Sequence, residues 1–100
     1  MTPLLKVLFD LGQCIATHGA LDAIIQNNQT PIEFLARHGA GDWGALDAHD
    51  TAANDAALIP NSAGECARIL SAYHLRDHTK IWTITEGDRS LTTILLPDEY

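Results

Sequence analysis

Lys80-Ile81-Trp82-Thr83-Ile84-Thr85-Glu86, then Gly87-Asp88-Arg89-Ser90, then Leu91-Thr92-Thr93-Ile94-Leu95-Leu96 is the stretch that decides the fold. Both outer runs are rich in β-branched residues, and turn formers join them. Upstream, Ala67 to His74 is a third such run, separated from Lys80 by Leu75-Arg76-Asp77-His78-Thr79. Turn-length gaps between three successive runs predict a three-stranded antiparallel meander. Alternation places Trp82, Ile84 and Glu86 on one face and Ile81, Thr83 and Thr85 on the other. The last run sets Leu91, Thr93 and Leu95 against Thr92, Ile94 and Leu96. One face is expected to take helices, and the other, rich in threonine, to be wetter.

Working outward from the strands, the preceding segments carry a helical period. Thr51 to Leu58 is alanine-rich and favours helix, with Asp47 or Asp50 as its cap and Pro60-Asn61-Ser62-Ala63-Gly64 as its end. Thr30-Pro31-Ile32-Glu33 is a start signal: Thr30 caps, Pro31 suits the first helical position, and Glu33 completes a capping box. That helix runs through Phe34-Leu35-Ala36-Arg37-His38 and ends at Gly39. Leu21, Ile24, Ile25 and Asn28 lie at i, i+3, i+4 and i+7, which predicts an earlier helix stopped by Asn27-Asn28-Gln29. The opening is ambiguous. Leu4, Leu8, Leu11 and Ile15 recur at helical spacing, yet Val7-Leu8-Phe9 and Gln13-Cys14-Ile15 would suit short strands, and Gly12 interrupts either reading. The preferred reading is a short helix or an irregular apolar arm. Helices first and strands afterwards predict an α+β fold, with N-terminal helices packed on the C-terminal meander in a single domain over residues 1–100.

Composition bounds the function. One hundred residues allow one core, and 46% hydrophobic against 19% charged residues argues for a folded chain. No apolar run approaches the length that spans a bilayer. The stretch Leu4 to Phe9 is interrupted by Lys6 and lacks a basic n-region, so no secretory signal is read and a cytoplasmic location is expected. With 13 acidic and 6 basic residues the net charge is −7, a poor match for a phosphate backbone. The charge is uneven. Residues 38–67 contain Asp42, Asp47, Asp50, Asp55 and Glu65 and no Lys or Arg. Such a segment concentrates negative potential and steers cationic partners toward it. The two cysteines, Cys14 and Cys66, sit among apolar neighbours with no CxxC motif, and are expected to be reduced and buried.

Several of these segments form a recognisable set. Phe34-Leu35-Ala36-Arg37-His38, Gly41-Asp42-Trp43-Gly44, Ala53-Asn54, Leu70-Ser71-Ala72-Tyr73, Ile81 to Glu86, Asp88-Arg89-Ser90 and Thr92 to Tyr100 together resemble a family of short bacterial plasmid-related proteins found on mobile elements. Leu11-Gly12-Gln13, Ala16-Thr17 and Gly19-Ala20-Leu21 extend the resemblance over most of residues 11–100. The chain departs from the family pattern in a longer apolar start at residues 1–10 and an expanded connection from Ile59 to Glu65. What the resemblance implies is a genetic context more than a chemistry.

Cys66, His74 and His78 offer part of a zinc ligand set, but a fourth ligand would have to come from Cys14 or Asp77, so no metal and no cofactor is expected. Ser71 or Ser90, His74 or His78, and Asp77 or Asp88 supply the residue types of a hydrolase, without the glycines of a nucleophile elbow. Gly41-Asp42-Trp43-Gly44 reads as a structural turn with Trp43 plugging the helix–sheet junction, or else as an exposed anchor. Asp88-Arg89-Ser90 reads as a hairpin turn. The expected function is a small acidic module that binds a protein, with no catalytic residues and with Asp42, Asp47, Asp50, Asp55 and Glu65 facing the partner. Mobile-element context makes that partner a nucleic-acid-binding subunit of a host defence system, and the module an inhibitor of anti-CRISPR or anti-restriction type. The alternative is a small hydrolase or nucleotide-binding enzyme using His74, Asp77 and Arg89.

Overall fold

The computed structural model describes residues 7–100. Their order is β1 (Gln13–Ala16), α1 (His18–Gln26), α2 (Pro31–Gly39), α3 (Ala48–Ala57), β2 (Ile69–His74), β3 (Lys80–Thr85), β4 (Leu91–Leu95) and a 3-10 turn at Pro97–Glu99. The α+β class holds, and β2, β3 and β4 form the expected antiparallel ladder. The sheet, however, is not a three-stranded meander. It has four strands in the order β1-β4-β3-β2, with β1 parallel to β4, so it is mixed. Gln13 N–H donates to Ser90 O and Thr17 N–H to Ile94 O at the two ends of this pairing. A strand of four residues is too short to show alternation, and its partner lies at the far end of the chain. The helical reading of the opening falls partly on residues 1–6, outside the described residues. From Val7 to Gly12 the backbone is irregular.

The wetter-face expectation is corrected. The threonine face is the one that takes the helices: Thr83, Thr85 and Thr92 are fully buried beside Ile69, Tyr73, Ile81 and Ile94. Alternation was right in its period and wrong in its direction: Thr85 and Thr92 bond one another and are buried at little cost, although the Thr83 hydroxyl has no partner among the described residues. Over this inner face, Ala20 and Ile24 of α1 and Phe34 and Leu35 of α2 pack on Tyr73, Ile81 and Ile94. A second cluster joins Trp43 and Ala57 of α3 to Ile69, with Phe9, Leu46 and Leu58 around it.

The caps are local in origin. Thr17 accepts from Ala20 N–H to start α1, and Asp47 accepts from Asp50 N–H to start α3. Thr30 and Pro31 do begin α2, but the capping box is absent: the Thr30 side chain makes no cap bond. Glu33 instead accepts from Gln29 Nε2, and Gln29 accepts the Arg76 N–H of the β2–β3 turn.

The outer edge of β2 is covered. Asn54 of α3 donates to Leu70 O and accepts from Leu70 N–H, as a neighbouring strand would. Ala72 N–H donates to Trp43 O, and Ala45 N–H to Ala72 O. Gly44 makes that approach possible. Its φ is +75°, and a Cβ there would lie 2.0 Å from the Ala72 carbonyl oxygen. Covering an edge in this way removes a template for unwanted strand pairing.

Candidate functional site

The five carboxylates of the middle third do not form one free surface. Asp42 is tied to Arg37 at 2.7 Å and accepts from Gly44 N–H, and the Arg37 bond holds its carboxyl below the ordinary value. Asp55 is exposed, but it accepts the Trp43 indole N–H at 3.1 Å. Asp47 is the cap of α3, outside the helix proper, and Asp50 lies in its first turn. Asp47, His49 and Asp50 bring ligand atoms within 4.8 Å of one another, all exposed, and both carboxylates complement the helix N-terminus. Glu65 is exposed beside a groove of about 430 Å³ lined by Ala53, Ala56, Ala57 and Cys66. All five are exposed, and among the described residues Asp47, Asp50 and Glu65 are the members with no Lys, Arg or indole partner.

The residues of the enzymatic alternative are not brought together. His74 ends β2 and Asp77 sits in the β2–β3 turn, where it accepts from Thr79 N–H while its own N–H donates to Asn27. Arg89 is in the β3–β4 turn at the opposite end of β3, a strand that spans roughly 17 Å at the usual rise. Cys66, just before β2, is likewise separated from His74 and His78 at the far end of that strand. The cysteines differ from expectation: Cys14 is exposed on the edge strand and Cys66 is half-buried, and both are free. Partial burial pushes the Cys14 thiol above its ordinary value, the reverse of what a reactive thiolate needs.

Arg89 does something the turn reading missed. Its φ is +61°, and its guanidinium donates to three carbonyls: Ala67 O at 2.8 Å, Glu86 O at 3.2 Å and Ala57 O at 2.7 Å. It thereby joins the end of α3, the approach to β2 and the β3–β4 turn, while Asp88 and Ser90 close that turn beside it. A planar fork can serve three acceptors, whereas an ammonium on a flexible stem serves them poorly. Arg89→Lys should lower stability by about 2 kcal/mol, read as a shift in the urea midpoint at constant slope. No shift would mean that the three bonds carry no net stability.

The buried polar centre lies elsewhere. His38 of α2 is fully buried, and its ring bridges two strands: Nδ1 lies 2.5 Å from Ser71 Oγ and Nε2 lies 2.9 Å from Thr85 Oγ1. Thr85 Oγ1 lies 2.7 Å from Thr92 Oγ1, and Thr92 donates to Leu11 O at 2.6 Å. Counting hydrogens fixes the direction. The Thr92 hydrogen is spent on Leu11, so Thr85 must donate to Thr92. Thr85 then has none left for His38, so Nε2–H donates to Thr85, and Nδ1 accepts from Ser71. The ring is neutral in its Nε2–H form. Burial, aided by the Arg89 charge, pushes its pKa down to about 4. Ser71 therefore pairs with His38, not His74 or His78, and both are sealed from solvent. A signal for this was present: His38 falls at i+4 from Phe34 and i+3 from Leu35, on the inward stripe of α2.

The outer face of the sheet has a different character. Leu70, Trp82, Leu91 and Thr93 are half-buried there, and Ile84 and Leu95 are buried between them. Trp82 meets Tyr100 edge-on at 5.9 Å. Arg68 donates to the Tyr100 hydroxyl and pairs with Glu86 at 3.2 Å. Ile15 and Tyr100 are exposed at its margins. None of the described helices of eight or more residues in the buried clusters packs on this face.

Comparison of the chain with protein-family models, with curated proteins and with solved structures finds no match in any of the three.

Proposed function

We propose that the chain is a non-enzymatic protein-binding module, carried by mobile elements, that inhibits a host defence system of restriction or CRISPR type by occupying a cationic protein component. The observation that supports binding is the outer sheet face. It has an apolar centre where half-buried Trp82 and Leu91 lie over buried Ile84 and Leu95, an aromatic margin at Tyr100 and an Arg68–Glu86 rim. Apolar centre, aromatic and arginine content and polar rim are the anatomy of protein interfaces. The sign of the partner follows from charge: net −7 overall, with Asp47, Asp50 and Glu65 exposed. The defence-system target follows from the family resemblance.

The test begins with capture of the partner from a native host and its identification by mass spectrometry. Two variants then separate the surfaces. Thr93→Lys places a charge at the centre of the outer face and should weaken binding at least about tenfold, as loss of an interface centre does. Asp47→Lys with Asp50→Lys should slow association and flatten its salt dependence, with less effect on dissociation. Folding of both is checked by circular dichroism. If Thr93→Lys binds normally, the outer face is not the interface. If the captured protein is neither basic nor part of a defence system, the target class is wrong.

A further inference from the structure

We propose that residues 7–12 form a strap over the Trp43 cluster, and that the proton count of His38 sets whether it is closed: one ring proton holds it shut and a second releases it. The strap has a built seat. Gly39 and Gly41, at the end of α2, leave room for it: a Cβ at Gly39 would lie 2.8 Å from Val7 Cγ1, and one at Gly41 would lie 2.9 Å from Leu8 Cδ1. Leu8 N–H donates to Gly39 O at 2.7 Å. The Phe9 ring lies edge-on to His38 at 5.3 Å, 6.2 Å from the Trp43 ring, and under the Arg89 guanidinium at 5.4 Å. Leu11 O receives the last hydrogen of the chain that starts at Ser71. The strap therefore closes both the apolar cluster and the polar chain.

A second proton on His38 has no place in this arrangement. Nδ1 would become a donor, facing the hydrogen that Ser71 presents to it. The imidazolium would sit in a dry site. The charged groups around it offer no relief. Arg89, from the β3–β4 turn, is a like charge, and Arg37 on α2 is engaged with Asp42. Asp55 on α3 is bound to the Trp43 indole. On β2, burial pushes the Tyr73 phenol up to about 12, so it stays neutral. Ser71, Thr85 and Thr92 supply only hydroxyls from the sheet, and Asp10 on the strap is exposed. Water must reach the ring. Two irregular segments wall His38, the strap and the loop that carries Trp43 at 5.9 Å; the loop is pinned to β2 by Ala72 N–H to Trp43 O and Ala45 N–H to Ala72 O, so the strap is the wall that opens first.

The test is amide hydrogen exchange, corrected for intrinsic rates, between pH 7 and pH 4. The Leu8 amide reports the strap and the Thr83 amide the sheet. With the open-state ring titrating normally, the strap opening constant should rise about tenfold per pH unit below about 6.5, and about a hundredfold by pH 4. His38→Gln, whose amide accepts from Ser71 and donates to Thr85 but takes no second proton, should abolish that rise. Thr92→Val, which removes both the Leu11 bond and the acceptor of the Thr85 hydroxyl, should raise strap opening at least about tenfold at pH 7, with Leu8 still exchanging at a lower free energy than Thr83. Nitrogen-15 shifts of His38 should place the neutral proton on Nε2. A pH-independent Leu8 amide, a His38→Gln variant with the wild-type slope, Leu8 exchanging only together with Thr83, or a proton on Nδ1 would each overturn the proposal.

Discussion

Replacing Trp43 by alanine should cost the fold about 4 kcal/mol. Trp43 is only 5% exposed, so this is a core truncation and not the loss of a surface anchor. Its ring fills the space between Ala57 of α3 and Ile69 of β2. Its indole N–H donates to Asp55, and its backbone carbonyl accepts from Ala72 N–H at the sheet edge. Truncation leaves a large cavity, because the neighbours sit on three separate elements and cannot collapse together. It also removes the indole bond to the exposed Asp55 carboxylate. A domain of this size has roughly 5–15 kcal/mol in total, so the loss is a large share of it. Urea titration of both proteins at pH 7 measures the difference. If the melting temperature holds while a partner is lost, the Gly41–Gly44 loop is an interface and not a plug.

Acid should remove about 3 kcal/mol of stability between pH 6.5 and pH 4 through His38 alone. The sign follows from the direction of the shift. Burial pushes the folded-state pKa down to about 4, so between that value and the ordinary 6.5 the unfolded chain binds the proton and the folded chain does not. Stability is complete above about 6.5 and falls as pH drops toward 4. Carboxylates held below their ordinary values by hydrogen bonds, such as Asp42 with Arg37, contribute in the same direction but at lower pH, below about 4. The two windows are therefore separable. Urea midpoints at intervals from pH 7 to pH 4 should decline for the wild type and stay level for His38→Gln. A level wild-type curve would show that the buried ring can be charged without cost.

How far the sequence could be read depended on the range of the interactions involved. The Asp88-Arg89-Ser90 turn and the Asp47 cap depend on atoms a few residues apart; the sequence located the turn and narrowed the cap to Asp47 or Asp50. The same holds for α1, α2 and α3 and for the ladder of β2, β3 and β4, whose neighbours are joined by short turns. Thr30-Pro31-Ile32-Glu33 marks the limit of that reasoning. The motif starts a helix as expected, yet Gln29 outcompetes the capping role of Glu33 because the β2–β3 turn holds it in place.

The candidate site was legible only in its parts. Asp42, Asp47, Asp50, Asp55 and Glu65 are a real concentration of charge, but Arg37 and Trp43 decide that two of them are not free, and those partners are set by packing. His38, Ser71, Thr85, Thr92 and Leu11 stand far apart in the chain and bear no shared motif.

What the sequence by itself determined is therefore the class, the three helices with the Thr30-Pro31 start of α2, the three-strand ladder and the sign of the charge, because each follows from near neighbours or from composition. What only the tertiary structure decided is the parallel pairing of β1 with β4, which face of the sheet is buried, and the His38 chain. These depend on which distant groups meet. Period-two alternation fixes that the two faces differ, but a threonine face can be buried or wet. The buried face is the one on which an imidazole of α2 satisfies two hydroxyls at once, beside Ile69, Tyr73, Ile81 and Ile94.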